Sequence, residues 1–322
     1  MFLLLLTSKN YYHMQIVKFI TRWMIATLAA LVIVPGCRKD DKVQAAETIA
    51  KKLTDDPNLS LFRAAMIKAR LETFTEGPGP FTVFAPDNDA FKANGINTDA
   101  DLAKIDSNTL VQVMTYHIIA SKRLSVEIPI GPNAPIATQY AALNVFASKN
   151  DKGMFFNGTK VTSTDIECSN GVIHVVNKVL IPPVNSILNY LMATPNHQLL
   201  LLAVGRAGPT TTISPATSAP VTVFAPTNAA FLASGLDSAA IVNTSPGTLT
   251  SILRYHIVSG RLFSSDFKAD SLKTLHGSKV LISLNTSPKV KGIKNAGLSN
   301  IFNGDYNANN GVVHAIDSVL KF

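Results

Sequence analysis

The chain is expected to be an α+β protein made of two tandem copies of one unit. Two observations carry this expectation. One is an internal repeat that keeps its order and its spacing. The other is the order of hydrophobic patterns inside each unit, with helical spacing first and short apolar runs later. The run Phe81-Thr82-Val83-Phe84-Ala85-Pro86-Asp87-Asn88-Asp89-Ala90-Phe91 returns as Val221-Thr222-Val223-Phe224-Ala225-Pro226-Thr227-Asn228-Ala229-Ala230-Phe231. Tyr116-His117-Ile118-Ile119 returns as Tyr255-His256-Ile257-Val258, and Asn170-Gly171-Val172-Ile173-His174 returns as Asn310-Gly311-Val312-Val313-His314. Pro57-Asn58 with Leu61 matches Pro195-Asn196 with Leu199. The offset stays near 140 residues throughout, which chance does not maintain over four motifs, so one unit has been duplicated.

Each element of the unit follows from its residues. Ile49 and Leu53, then Leu59, Phe62, Ala65, Met66 and Ala69, recur at helical spacing, and Pro57 divides them into two helices. Phe81 to Ala85 is too continuously apolar for a half-exposed edge and is read as a buried strand that Pro86 stops. Asp87, or Thr227 in the second copy, is then placed to cap a helix that turns Phe91 or Phe231 inward. Leu110, Val113 and Met114 form another apolar helical face, and an extended segment is expected to begin at Tyr116. The later part of the unit is rich in turns, with short apolar runs at Val172 to Val176 and Val280 to Leu284.

The leader is read separately. Lys18 and Arg22 precede an apolar run from Trp23 to Val34. That run is shorter than the roughly 20 residues that span a bilayer, and small residues follow it, as in a signal peptide. Val34-Pro35-Gly36-Cys37 resembles a bacterial lipobox, which makes Cys37 the lipidation site. An uncut signal anchor and a Cys37–Cys168 disulfide are the alternatives. Lys39, Asp40 and Asp41 follow directly and resemble the surface-export signal of Bacteroidetes-type lipoproteins. Phe2 to Leu6 is an additional apolar patch, and a start at Met14 would give a more ordinary leader. The expected organisation is a signal peptide over 1–36, a lipidated tether over 37–45, one domain over 46–183 and a second over 184–322. The short, stiff joint Ile181-Pro182-Pro183-Val184 lies between the two domains.

Composition narrows the function. The formal net charge of +8 includes Lys9, Lys18 and Arg22 of the leader, which holds no acids, so the mature chain carries +5. Its basic residues are scattered, a pattern that could favour anionic polymers but argues against nucleic acid. No His-Glu-x-x-His, close cysteine pair, acidic calcium loop or glycine-rich phosphate loop occurs, so no metal and no cofactor is expected.

The three repeated motifs together resemble the fasciclin domain, over about residues 46 to 322. The resemblance implies a β-sandwich wedge with helices packed around it, and a role in adhesion or matrix interaction. It also draws attention to Tyr116, His117, Tyr255 and His256, since the Tyr-His region of the family has been implicated in adhesion. A histidine between aliphatic residues is equally read as a buried ring with satisfied hydrogen bonds, and His174 and His314 are read in that structural way. Asp165-Ile166 resembles a pair that contributes to integrin recognition in some members, but the second copy departs from it with Asp305-Tyr306, and a shared turn is the structural reading. Cys168 is matched by Ala308 and is read as a buried thiol rather than a nucleophile.

The expected function is a lipid-anchored surface module that binds a matrix protein, another cell or a polysaccharide, not an enzyme. A structural envelope protein and a histidine-site enzyme are the alternatives. The expected location is the outer membrane, facing outward, with the periplasmic face as the other possibility. Oligomeric state is left open.

Overall fold

The structure, a computed structural model, describes residues 46–322 apart from Ala142 and 209–218. Cys37, Lys39, Asp40 and Asp41 lie outside the described residues. Among the described residues no helix is long and apolar enough to cross a membrane.

Each copy opens as its hydrophobic spacing demands. Helix Ile49–Asp55 is capped by the Thr48 hydroxyl, which accepts from the Lys51 amide. Pro57–Leu59 makes a short 3-10 turn into helix Ser60–Lys68, which buries Leu61, Phe62, Ala65 and Met66. Strand β1 (Phe81–Pro86) follows, and Asp87 accepts from the Ala90 amide to start helix Asn88–Lys92. Helix Ser107–Tyr116 leads into β2 (Ile118–Ile119). Here the expected extended start at Tyr116 is corrected. Tyr116 is the last helical residue and His117 caps it, with the His117 ring bonded back to the Val113 carbonyl one turn earlier. A ring that closes the last helical turn holds the backbone in the helix for two residues beyond the apolar pattern.

The strands β3 (Gly131–Ala137), β4 (Asn144–Asn150), β5 (Gly153–Phe156), β6 (Thr159–Cys168) and β7 (Gly171–Val176) complete one sheet ordered β2-β1-β7-β6-β5-β4-β3. The ten-residue β6 bends through two register shifts, with Asp165 at φ 58°, and so carries the sheet around from the β1–β7 layer to the β3–β5 layer. The second copy repeats the path with β8 (Val221–Pro226), β9 (Ile257–Ser259), β10 (Ser271–Lys273), β11 (Lys279–Ser283), β12 (Lys289–Gly292), β13 (Ser299–Asn300), β14 (Tyr306–Ala308) and β15 (Gly311–Ile316). There the bend becomes a break between β13 and β14, with Asn303 at φ 30° and Asp305 at φ 67°, and the layers separate into two four-stranded sheets.

The repeated motifs meet at the centre of each copy. β1 and β7 pair in parallel with Phe84 opposite His174, and β8 and β15 pair in parallel with Phe224 opposite His314. The Asn-Gly turn makes this approach possible. A Cβ on Gly171 would lie 2.0 Å from the Phe81 carbonyl oxygen, and one on Gly311 would lie 1.9 Å from that of Val221. Asn170 accepts from the Ile49 amide and donates to the carbonyls of Thr75 and Gly77, which ties the first helix to the end of the sheet. Each copy holds two apolar clusters, one between helices and sheet around Phe62 and Phe91 or Leu200 and Phe231, the other between the sheet layers around Phe84 and Phe156 or Phe224 and Phe267.

The copies pack directly against each other through Arg261. Its guanidinium lies 4.4 Å from the centroid of the Phe146 ring of the first copy. It donates to the Ala308 carbonyl at 2.9 Å, the Gly311 carbonyl at 2.7 Å and the Asn307 side chain. Burial lowers its pKa to about 10. A β-bulge in β3 turns Asn133 to donate to the Arg261 carbonyl at 2.6 Å. Asn150 and Lys152 donate to the carbonyls of Ser265 and Phe267, each at 2.9 Å. Asn307 reaches the Tyr116 hydroxyl at 3.4 Å. The corresponding residue of the first copy, Lys122, makes only a surface ion pair with Glu167. A planar guanidinium can stack on a ring and donate in several directions at once, which an ammonium cannot. Arg261→Ala is expected to leave three buried acceptors unpaired and to cost on the order of 3 kcal/mol. Calorimetry should then show one unfolding transition for the wild type and two for the variant, one for each copy.

Candidate functional site

The Tyr-His pairs lie inside the protein. Tyr116 and Tyr255 are fully buried, as is His117, and His256 is nearly so. The Tyr116 hydroxyl donates to the Asn144 carbonyl at 2.8 Å and accepts from Asn157 at 2.9 Å, and burial pushes its pKa up to about 12. Tyr255 repeats the arrangement, donating to the Lys279 carbonyl at 2.7 Å and accepting from the Ile293 amide at 3.0 Å. His117 has Nδ1 2.7 Å from the Val113 carbonyl, while Nε2 accepts from the Leu180 amide at 2.9 Å. His256 does the same with Ile252 and Leu320, both at 2.8 Å. A carbonyl needs a donor and an amide needs an acceptor, so each ring is the neutral tautomer protonated on Nδ1. Each histidine thus pins the segment after the last strand to the end of a helix, with both nitrogens committed to backbone.

The second pair of histidines carries the Asp-Ile motif. His174 has Nε2 2.8 Å from the Arg123 carbonyl and Nδ1 facing the Asp165 amide at 3.3 Å. His314 makes the matching contacts with Leu262 and Asp305, at 2.9 and 3.2 Å. Asp165 and Asp305 in turn accept from the amide and hydroxyl of Ser125 and Ser264. Burial pushes the Asp165 carboxyl up, but the two Ser125 donors and His174 together hold it below the usual carboxylate range. Asp165 therefore anchors the short 3-10 turn Ser125–Glu127. Ile166 packs against the helix-side core, and Tyr306 at its place in the second copy stacks on Tyr190 with centroids 3.7 Å apart. The turn is common to both copies and only its neighbour varies. Cys168 is buried, directs its thiol toward the Ile166 carbonyl at 3.6 Å, and is pushed by burial to a pKa of about 11, which suits an inert thiol rather than a nucleophile.

What Asp165 holds in place reaches the surface. Val126, in the anchored turn, is 79% exposed and Ile130 just after it is 86% exposed. Beside them runs a cleft of about 520 Å³ lined by Ile119, Arg123, Glu127, Ile128, Pro135 and Ile136 among others. This loop carries none of the repeated motifs. Two apolar residues, Val126 and Ile130, on either side of Glu127-Ile128-Pro129 in a turn-rich stretch are the signal it carries. Among the described residues, no group of three or more His, Cys, Asp or Glu side chains is placed to hold a metal ion.

The four buried histidines of the repeated motifs, and buried His197 with them, make stability depend on pH. Desolvation lowers the pKa of His117 and of His256 from 6.5 to about 4, and lowers those of His174 and His314 in the same direction. Near 6.5 the unfolded chain takes up protons that the folded chain refuses. The stabilisation is therefore complete above pH 6.5 and is lost as pH falls toward 4. The pKa changes of His117 and His256 correspond to on the order of 3 kcal/mol each. Urea unfolding at pH 7.5 and pH 4.5 is expected to show that loss. The double variant His117→Asn/His256→Asn should be less stable at pH 7.5, by a few kcal/mol, and should lose less between the two pH values.

Comparison with known proteins follows the same division into copies. The Fasciclin domain profile matches residues 57–182 and 195–322. Protein sll1483 of Synechocystis sp. is 34% identical over 140 residues, covering 43% of this chain and 76% of that protein. Transforming growth factor-beta-induced protein ig-h3 of Sus scrofa is 27% identical over 260 residues, covering 78% of this chain but only 36% of that longer protein. Among solved structures, the FAS1 domain pair of the insect cell adhesion molecule Fasciclin I is similar at 19% identity and a TM-score of 0.40, covering 82% of this chain and 97% of that one. The repeated strand, Tyr-His and Asn-Gly motifs, their identical contacts in both copies and the two matched segments establish that the chain belongs to the fasciclin-domain family, as a tandem pair.

Proposed function

We propose that this protein is a lipid-anchored module of the cell surface that adheres to a matrix protein, another cell or a polysaccharide. Membership of a family that works in adhesion supports the class of function. The observation that carries the reading is a contrast between equivalent loops. In the second copy the loop around Ser264–Asp266 is a docking element, with Ser265 buried and both Ser265 and Phe267 accepting hydrogen bonds from the first copy. In the first copy the same loop presents Val126 and Ile130 to solvent beside a cleft. An apolar protrusion on a turn fixed by Asp165 has the rigidity and exposed apolar surface that recognition of a partner needs. The histidine-site enzyme is less well supported, because each of the four histidines in the repeated motifs already spends both ring nitrogens inside the fold.

The anchor is part of the same proposal. Cys37 would be acylated, and Lys39, Asp40 and Asp41 would direct the chain to the outer face, where an adhesive loop can meet its partner. More than one acyl chain would be needed for stable anchoring, because a single chain binds a bilayer only marginally.

Two measurements test this. Cys37→Ser should move the protein out of the membrane fraction, and protease applied to intact cells should digest the wild type but spare Asp40→Ala/Asp41→Ala. A wild type that is itself protected would place the protein on the periplasmic side. Separately, Val126→Asp/Ile130→Asp at unchanged surface level and melting temperature should lower attachment of cells to matrix-coated surfaces by about tenfold, the scale of one well-buried apolar contact. Unchanged attachment would favour a structural role in the envelope.

A further inference from the structure

The outward face of the sheet β10-β11-β12-β13 holds lysines where the first copy has none. Val280, Ile282 and Val290 point inward and are buried, so strand alternation turns Lys279, Leu281, Lys289 and Lys291 outward. Lys273 lies directly opposite Lys279, and Leu281 directly opposite Lys291. The equivalent positions in the first copy are fixed by contacts. Tyr116 donates to the carbonyl of Asn144 as Tyr255 does to that of Lys279, and the pairs Ala147–Phe156 and Ile282–Val290 then coincide. On this register Lys273, Lys279, Lys289 and Lys291 take the places of Ala137, Asn144, Phe155 and Asn157.

The face has a different use in each copy. In the first copy it receives the second, with Phe146 under Arg261 and Asn150 donating to the Ser265 carbonyl. In the second copy it is open, and none of its four lysines joins the ion pairs found among the described residues. Like charges directly across a strand pair, as at Lys273 and Lys279, destabilise a sheet, so folding alone does not account for this arrangement. A further copy of this chain is a poor occupant. The loop that would dock here carries Lys122 where Arg261 stands, and on the same register Lys122 would sit over Leu281, directly opposite Lys291.

We infer that this lysine face binds an acidic polysaccharide, one that carries a carboxylate or sulfate on every sugar or every second sugar. Adjacent strands are separated by about 4.8 Å, so the four ammonium groups form a flat, closely spaced grid that a linear polyanion can cross with several contacts at once. Ammonium groups bind such charges as point charges without demanding one geometry. The outward strand positions include no aromatic residue on which a base could stack, as single-stranded nucleic acid binding requires. Leu281 is the lone apolar residue among them, too little to enter a membrane interface. This face is remote in sequence from the loop at Val126 and Ile130, and the two can fail independently. The inference deepens the proposed function by naming the class of polysaccharide.

The test captures the purified full chain on a sensor and passes polygalacturonate, dextran sulfate, neutral dextran, duplex DNA and phosphatidylglycerol vesicles over it. Polygalacturonate and dextran sulfate should bind, more weakly as salt rises, and neutral dextran should not. Lys279→Glu/Lys291→Glu should weaken both by about tenfold or more, as the loss of two favourable contacts and the gain of two repulsive ones requires. Lys92→Glu/Lys104→Glu makes the same change of net charge on helices of the first copy and should alter binding less than about twofold. Lys279→Glu also sets an acid opposite Lys273, so its melting temperature should hold or rise. Equal losses in the two double variants would overturn the inference, since net charge alone would then explain binding. DNA or vesicles binding as tightly as polygalacturonate, with the same loss in Lys279→Glu/Lys291→Glu, would overturn it in favour of that ligand. Binding of the Val126→Asp/Ile130→Asp chain to polygalacturonate should remain at the wild-type level.

Discussion

The rest of each copy depends on the parallel pairing of its first strand with its last. Phe81 meets Gly171 across about 90 residues of chain, and Val221 meets Gly311 across a similar distance. Closing such loops costs conformational entropy before any contact repays it, and the repeated motifs are the residues that repay it. Gly171 and Gly311 lack the side chain that would collide with the partner carbonyl. Thr82 and Thr222 satisfy buried backbone on the far side of the strand, each bridging a carbonyl and an amide of the segment after β2 or β9. The histidines then close the copy around the strand pair, His117 and His256 holding the terminal segment, His174 and His314 holding the turn that begins the second layer.

This division of labour explains why the conspicuous residues are not the exposed ones. A buried polar group must find its partners, and a strand pair surrounded by apolar layers offers only backbone to bond. Tyrosine and histidine supply a donor and an acceptor at fixed separation, which lets one side chain connect two backbone segments that share no ladder. The recurrence of those residues in both copies records the demands of closure. The positions that closure leaves free are where the two copies differ.

The differences give the pair a direction. Lys122 and Arg261 occupy equivalent places, but only the arginine stacks on a ring of the other copy, and only there is the neighbouring loop buried. The first copy therefore offers an open loop and a covered sheet, while the second offers a covered loop and an open sheet. One scaffold, used twice, presents two chemically distinct surfaces: an apolar protrusion beside a cleft, and a grid of lysines.

The sequence by itself determined the duplication, the α+β class and most of the elements. Ile49, Leu53, Phe62 and Met66 read as helix, and Phe81 to Pro86 as buried strand, because their spacing or continuity reflects which side of an element faces the core. Asp87 and Thr227 read as caps because capping is local in sequence. The end of helix Ser107–Tyr116 is not legible in the hydrophobic pattern, because a side chain, His117, closes it. The tertiary structure alone decided what the Asp-Ile pair does, since Asp165 acts on Ser125, forty residues away. It alone decided that Arg261 joins the copies, since Phe146 approaches only after both have folded. The lysine face was written as alternation in Lys279-Val280-Leu281-Ile282 and Lys289-Val290-Lys291, but alternation shows that residues share a side of one strand. Which strands lie next to each other, and whether that side is covered, depends on long-range register, and a periodic pattern within one strand carries no information about its neighbours.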